Sequence, residues 1–119
     1  MTSGTIEADG TAYVTLDSNG NGTASVGPLT AREVWYPTTA SVKTNQSQFA
    51  ITNEAICNIY VGQSATQENF RDGTFSGSSG DSSDLVSGKL KSGNKVWAVW
   101  RGGDANVQAT LVVSGTKEI

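Results

Sequence analysis

The sequence has no histidine and only one cysteine, Cys57, among its 119 residues. Without histidine, the usual proton shuttle at neutral pH, the commonest metal ligand and most nucleophile–base pairs are missing. One cysteine forms no disulfide within the chain. Cys57 stands in an apolar run between Ile56 and Ile59, which predicts a core residue rather than a reactive thiol. The residues therefore predict a protein that is not an enzyme and has no cofactor or metal.

Charge is also scarce, since charged residues make up 16% of the chain and the net charge is −3. The eight lysines and arginines are scattered, whereas nucleic-acid binding needs a clustered positive surface. No apolar run approaches the 18 or so residues of a membrane span. The first residues have neither a basic start nor an apolar core, so no secretory signal is expected. These absences exclude nucleic acid and membrane as partners and predict synthesis in a cytoplasm.

Short segments with period-two alternation are present throughout, separated by Gly, Ser, Asn and Asp. Such alternation is typical of half-buried strands. The predicted strands are 12–16, 23–26, 33–36, 39–44, 48–52, 55–61, 84–86, 95–101 and 107–113. About eight strands without an amphipathic helix predict one domain, residues 1–119, folded as an antiparallel β-sandwich, jelly-roll-like.

Some segments depart from this alternation. Pro37 is expected to stop or bulge its strand, because proline donates no hydrogen bond to a ladder. Residues 63–70 are the one place where a helical turn is expected. Residues 73–80 are predicted to form a loop in which Thr74-Phe75 could pair briefly, and the Gly/Ser stretch 77–88 is the candidate mobile loop.

Two acidic segments are candidate cation sites. Residues 17–22 match the first half of a helical calcium-binding loop, but Pro28 stands where its bidentate glutamate belongs, and the flanks are strand-like. The Asn-Gly pairs predict a hairpin turn instead. Asp81 and Asp84, with Asp72 upstream, are expected to be solvated turn formers.

The aromatic residues are the candidate contact residues. Trp35 and Tyr36 should face opposite sides of their strand, and so should Trp97 and Trp100. Either tryptophan of the second pair could be the core residue. The outward one would then form a binding surface or a subunit contact. Arg101 follows at the end of the same strand.

The order of these elements resembles small β-rich structural proteins of tailed bacteriophages, particularly those of actinobacteria. The similarity spans about residues 23–115 and rests on Gly, Trp and Pro positions. Its fixed points are Val26-Gly27-Pro28, Glu33-Val34-Trp35, Asn58-Ile59-Tyr60-Val61-Gly62, Asp72-Gly73-Thr74-Phe75-Ser76-Gly77, Leu90, Gly93, Val96 to Asp104, Ala109-Thr110-Leu111 and Gly115. The resemblance implies a non-enzymatic virion component.

Two placements follow from the resemblance: a capsid decoration protein on the outer capsid surface, which we favour, or a minor tail or tip protein that contacts the host. A separate hypothesis is a module that binds a host receptor or surface glycan through an exposed Trp100 or Trp35. The implied partners are the major capsid protein or tail proteins, together with further copies of the chain, with a trimer favoured. The polar N-terminal segment 1–7, including Thr5, Ile6 and Glu7, is predicted to be an extended arm that adds a strand to a neighbour.

Overall fold

The computed structural model describes residues 5–28, 34–65, 70–78, 80–84, 90–91 and 93–118. These residues form nine strands and one 3-10 turn. The strands are β1 (Thr5–Thr15), β2 (Gly22–Val26), β3 (Val34–Thr44), β4 (Ile56–Gly62), β5 (Phe70–Ser76), β6 (Asp81–Asp84), β7 (Leu90–Lys91), β8 (Lys95–Arg101) and β9 (Gln108–Glu118); the 3-10 turn η1 is Gln48–Ala50. Among the residues that the structure describes, no helix is long and apolar enough to cross a membrane.

The strands form two antiparallel sheets. Sheet A has the order β1-β9-β3-β6, with the two-residue β7 also pairing β3, and sheet B has the order β2-β8-β4-β5. Leaving β7 aside, the pairs β1–β9, β2–β8, β3–β6 and β4–β5 are nested along the chain, as in a long hairpin that has been rolled up. This is the arrangement of a jelly roll, so the predicted fold class is confirmed.

The core lies between the sheets and is built from the inward side chains of alternating strand residues. Strand β8 shows the pattern, with Val96, Ala98 and Trp100 fully buried and the residues between them partly exposed. On β9, Ala109, Leu111 and Val113 are likewise fully buried. Because strand side chains alternate between faces, each sheet contributes one apolar face and leaves the other toward solvent.

Pro37 bulges its strand rather than ending it, so the two strands predicted at 33–36 and 39–44 are one. The β3–β9 register shifts between Pro37 and Thr39. Gly115 accommodates the bulge, since a Cβ there would lie 2.3 Å from the Tyr36 carbonyl oxygen. On its other side, β3 pairs with β7 at Val34–Trp35 and with β6 at 39–42. Neither β6 nor β7 pairs with Pro37, so the N–H that proline lacks interrupts no hydrogen-bond ladder on this side of β3.

One further strand prediction is wrong, since residues 48–52 contain the 3-10 turn η1. The loop predicted at 73–80 is wrong for residues 73–76, which belong to β5, whereas the pairing expected at Thr74-Phe75 is confirmed, because Phe75 pairs with Cys57. In the stretch 77–88, Gly77 and Ser78 are hydrogen-bonded and 81–84 form β6, while 79 and 85–88 lie outside the described residues, so the mobility of this stretch stays a prediction. For the helical turn predicted at 63–70, residues 63–65 are bends, 70 begins β5, and 66–69 lie outside the described residues.

The predicted N-terminal arm is also wrong for the residues that the structure describes. Thr5, Ile6 and Glu7 begin β1 and pair with Glu118, Lys117 and Thr116 of the same chain. Their ladder partners lie more than a hundred residues further along the chain, so no local sequence pattern predicts the pairing. Residues 1–4 of the predicted arm lie outside the described residues.

Candidate functional site

Four connections meet at one end of the sandwich. Antiparallel strands reverse direction at each turn, so alternate connections return to the same end. Strands β6 and β7 both pair antiparallel with β3, so they run in the same direction and count as one pass. They are the β1–β2 connection (16–21), the β3–β4 connection (45–55), the β5–β6 connection (77–80) and the β8–β9 connection (102–107). We call this set the loop end.

The β1–β2 connection is a corner that is closed by its own aspartate. The Asp17 Oδ1 accepts hydrogen bonds from the backbone N–H groups of Asn19 and Asn21, at 2.8 and 3.0 Å. These bonds use one oxygen of the carboxylate that the calcium-loop motif would need, and the described residues hold no cluster of three metal ligands. The hairpin prediction is wrong, since β1 and β2 belong to different sheets and the turn joins the two.

This corner is bonded to the β8–β9 connection. The Gly103 N–H donates to the Gly20 carbonyl at 3.0 Å, and the Gly102 N–H donates to the Asn21 Oδ1 at 3.0 Å. Gly20 has a φ of +75°, and a Cβ there would lie 1.8 Å from the Gly103 carbonyl oxygen. The contact therefore needs glycine at position 20. The Gly102-Gly103 turn is thus hydrogen-bonded to the corner.

Asp104 fixes the β3–β4 connection. Its carboxylate accepts bonds from the Gln46 side-chain amide at 2.8 Å, the Thr52 N–H at 2.8 Å, and both the backbone and the side-chain N–H of Asn53. The Gln46 bond first, and then the bond from the Thr52 N–H, lower the pKa of Asp104 below its ordinary value of 3.8, because both favour the charged form. One carboxylate thus holds both flanks of η1.

Ser78 joins the β5–β6 connection to the same layer and is 1% exposed. Its Oγ accepts from the Ala55 N–H at 2.9 Å, and its own N–H donates to Glu54 Oε2 at 2.7 Å. Its carbonyl accepts from the N–H and the hydroxyl of Thr44. Its neighbour Gly77 accepts the indole N–H of Trp100 at 3.0 Å. All four connections are therefore linked by hydrogen bonds into one layer over the core.

Phe49 stands on this layer and is 98% exposed. It lies in η1, between the residues that Asp104 holds. Ile56, where β4 leaves the loop end, is 53% exposed. The sequence prediction missed the exposure of Phe49 because it placed residues 48–52 in a strand. The available signal was the polar stretch 44–48, which is more typical of a loop than of an alternating strand.

The predicted contact residues do not form one site. Trp35 and Trp100 are 5% and 0% exposed, so the hypothesis that either is an exposed binding platform is wrong. Tyr36 is half-buried on the outer face of sheet A. Trp97, also half-buried, and the exposed Arg101 lie on the outer face of sheet B, since they alternate with inward residues of β8. Opposite facing within each pair is confirmed.

An aromatic row crosses the outer face of sheet B. Trp97 is in register with Tyr60, and Tyr60 with Phe70. The rings of Tyr60 and Phe70 meet edge to face, with centroids 5.6 Å apart. The Trp97 indole donates to the Gly62 carbonyl at 3.0 Å. Tyr60 is 8% exposed and Phe70 39%, so this face is apolar and only partly open.

The thiol of Cys57 is unreactive. The residue is fully buried on the inner face of sheet B. Burial raises the pKa of its thiol to about 12, and a hydrogen bond with the Val99 backbone has a smaller, opposing effect. A thiol that keeps its proton is a poor nucleophile and a poor metal ligand.

Comparisons of this chain with protein-family models, with curated proteins and with solved structures found no match.

Proposed function

We propose that this chain is a non-catalytic bacteriophage virion protein that decorates the outer capsid surface and docks through its loop end. The observation that supports docking is Phe49, a fully exposed aromatic residue on a hydrogen-bonded loop. The phage setting comes from the sequence resemblance. The partner is then the major capsid protein, and the protein is located in the virion after synthesis in the host cytoplasm.

The energetics of such a docking residue favour binding. Burying a phenylalanine side chain from water stabilises a complex by about 1.5–3 kcal/mol. Since Asp104 already holds the loop, little conformational entropy remains to be lost on docking. One such contact is modest. Side-by-side copies on a capsid lattice add their contacts, so that each copy can bind weakly and the layer still stays attached.

The architecture is compatible with this proposal, since jelly rolls occur in viral capsid domains. They also occur in lectins and in other proteins, so the fold alone names no function. Support for docking therefore comes from the loop end, whose side chains fix the loops and leave Phe49 exposed.

The test is the amount of this protein in particles released by the bacterium or phage lysate that carries its gene. Quantitative mass spectrometry of purified particles is expected to find hundreds of copies per particle. A handful of copies would support a tail position instead, and its absence from particles would refute a virion role.

The docking residue is tested with recombinant protein added back to particles stripped of it. Phe49→Ser is expected to weaken the affinity for stripped particles by about tenfold, the equivalent of 1.4 kcal/mol, and to lower occupancy at subsaturating protein concentration, while the thermal unfolding temperature is unchanged. Tyr36→Ser, an aromatic replacement on the outer face of sheet A, is the control and should retain occupancy. Equal occupancy of both variants would refute docking through Phe49.

The aromatic row of sheet B favours a second candidate, a tail-borne module that binds a host receptor or glycan. Trp97 and Phe70 present partly open rings on one face, and sugars stack on such rings. This candidate predicts that host cell-wall glycans change the tryptophan fluorescence and that Trp97→Ala abolishes the change with the fold intact. No change with any cell-wall fraction would reject it.

A further inference from the structure

Strand β1 forms one edge of sheet A. It pairs with β9 over all eleven residues without a register shift. Among the residues that the structure describes, no strand pairs with its other side. A strand in this position presents a row of backbone N–H and C=O groups that are ready to pair with another strand.

Over residues 10–15, this edge carries none of the features that usually block strand addition. Residues 10–15 of β1 contain no charge and no proline. The other edge strands are protected by being short or irregular: β2 has five residues, β6 has four, and the pairing of β5 with β4 is interrupted by register shifts. Among the described strands, β1 is thus the edge that is both long and regular.

The core is also incompletely covered at this edge. Ala12 and Val14, which face inward on β1, are only partly buried against the core. Their register partners on β9, Leu111 and Ala109, are 0% exposed. On the opposite face of β1, Tyr13 is 62% exposed. A strand added beside β1 would cover apolar surface on both faces of the sheet.

The sequence of β1 favours the antiparallel direction for a second copy of the chain. A parallel, in-register copy would pair position 7 with position 7 and position 9 with position 9, which sets Glu beside Glu and Asp beside Asp, and like charges directly opposite are destabilising. An antiparallel copy centred on Ala12 pairs residues 9–15 with residues 15–9, so Asp9 lies opposite Thr15 and Thr11 opposite Tyr13. No pair within residues 9–15 then holds two charges, and a two-fold axis produces each pair away from Ala12 twice.

We propose that β1 pairs with β1 of a second copy, antiparallel about a two-fold axis at Ala12, so that the two A sheets become one continuous sheet. The pairing involves the edge of sheet A and stands independently of the virion role. It gives a dimer in solution, whereas the family resemblance favours a trimer.

Light scattering over a range of concentrations tests the oligomeric state. The chain has a mass of 12.4 kDa, and twice that mass is expected. The double variant Thr11→Lys with Tyr13→Lys places like charges opposite each other twice, and it should weaken the dimer by about tenfold or more. Ser114→Lys with Thr116→Lys puts the same charge on exposed positions of β9, away from the edge, and should remain dimeric. A monomer or trimer for the wild type, or a dimeric edge variant, would overturn the proposal.

A cross-link tests the pairing without disrupting it. In the proposed register, Ala12 meets Ala12 of the second copy, with Cβ atoms about 4.5–5.5 Å apart, and a disulfide can span this separation after a small adjustment. Ala12→Cys is therefore expected to give a covalent dimer on mild oxidation, and Ser114→Cys to stay monomeric under denaturing conditions. Equal cross-linking of both would mean random collision and would contradict the proposed interface.

Discussion

Replacing Trp100 by phenylalanine should be among the costly single changes in this chain. Trp100 is fully buried, and its indole N–H donates to the carbonyl of Gly77, which is itself buried under the loop end. The change deletes two ring carbons and the indole nitrogen, and the two carbons are worth about 2 kcal/mol at ~0.8 kcal/mol for each buried carbon. It also leaves the Gly77 carbonyl without its donor, which costs about 1 kcal/mol more. The free energy of unfolding should therefore fall by about 3 kcal/mol.

Trp97→Phe is the matched control. Its indole also donates to a glycine carbonyl, that of Gly62, and the bond has the same length of 3.0 Å. Trp97 is only half-buried on the outer face of sheet B, so water can replace part of what is lost. We expect a cost of about 1 kcal/mol.

Urea unfolding followed by circular dichroism measures both costs, and thermal unfolding gives a second reading. For a domain of this size, 3 kcal/mol corresponds to a fall of about 12 °C in Tm, and 1 kcal/mol to about 4 °C. The denaturant slope m should not change. Equal costs for the two variants, or a larger cost for Trp97→Phe, would refute the assignment of Trp100 to the core and Trp97 to the surface.

Two titrating groups give further predictions. Because folding raises the pKa of Cys57 from 9.0 to about 12, the unfolded chain loses this proton first as the pH rises. Stability should therefore fall by about 1.4 kcal/mol from neutral pH to pH 10 through this group, and Cys57→Ala should remove that part of the fall. Asp104 has a lowered pKa, so its hold on the β3–β4 connection is present above pH 3.8 and is lost as the pH falls through the lower folded value. The amide NMR signals of Thr52 and Asn53 should titrate below pH 3.8 in the wild type and not with Asp104→Asn.

Each of these has a clear contrary result. An identical alkaline slope in wild type and Cys57→Ala, or fast reaction of the native thiol with a disulfide reagent at neutral pH, would contradict burial of Cys57. Titration of the Thr52 and Asn53 signals at or above pH 3.8 would contradict the stabilisation of the Asp104 carboxylate by these N–H groups.

The strands found from sequence are those in which burial alternates cleanly. Strand β8 was predicted with its correct bounds, and β2 and β4 within a residue, because every second side chain is apolar and faces the core. Strand β5 was missed, since its sequence, FRDGTFS, has few apolar residues and its pairing with β4 is irregular. The neighbouring strand, rather than local preference, makes this segment extended.

The candidate site was the least predictable part. Alternation established that Trp97 and Trp100 face apart, but both faces of β8 are apolar, so only the position of sheet A decided which side is the core. The exposed position of Phe49 was missed because the short run 48–52, with Phe49 and Ile51 in alternation, is typical of a strand. The bonds that make it a turn come from Asp104, more than fifty residues further along the chain.

The sequence by itself determined the class of the fold and the chemistry that is missing. Period-two alternation requires strands with one buried face, and no arrangement of this chain can place a histidine in a site. The tertiary structure decided which strands are neighbours, and with that the open edge of β1, the pairing of Thr5–Glu7 with the far end of the chain, and the joined loop end. These depend on contacts between residues that are distant in sequence, and such contacts leave no local pattern.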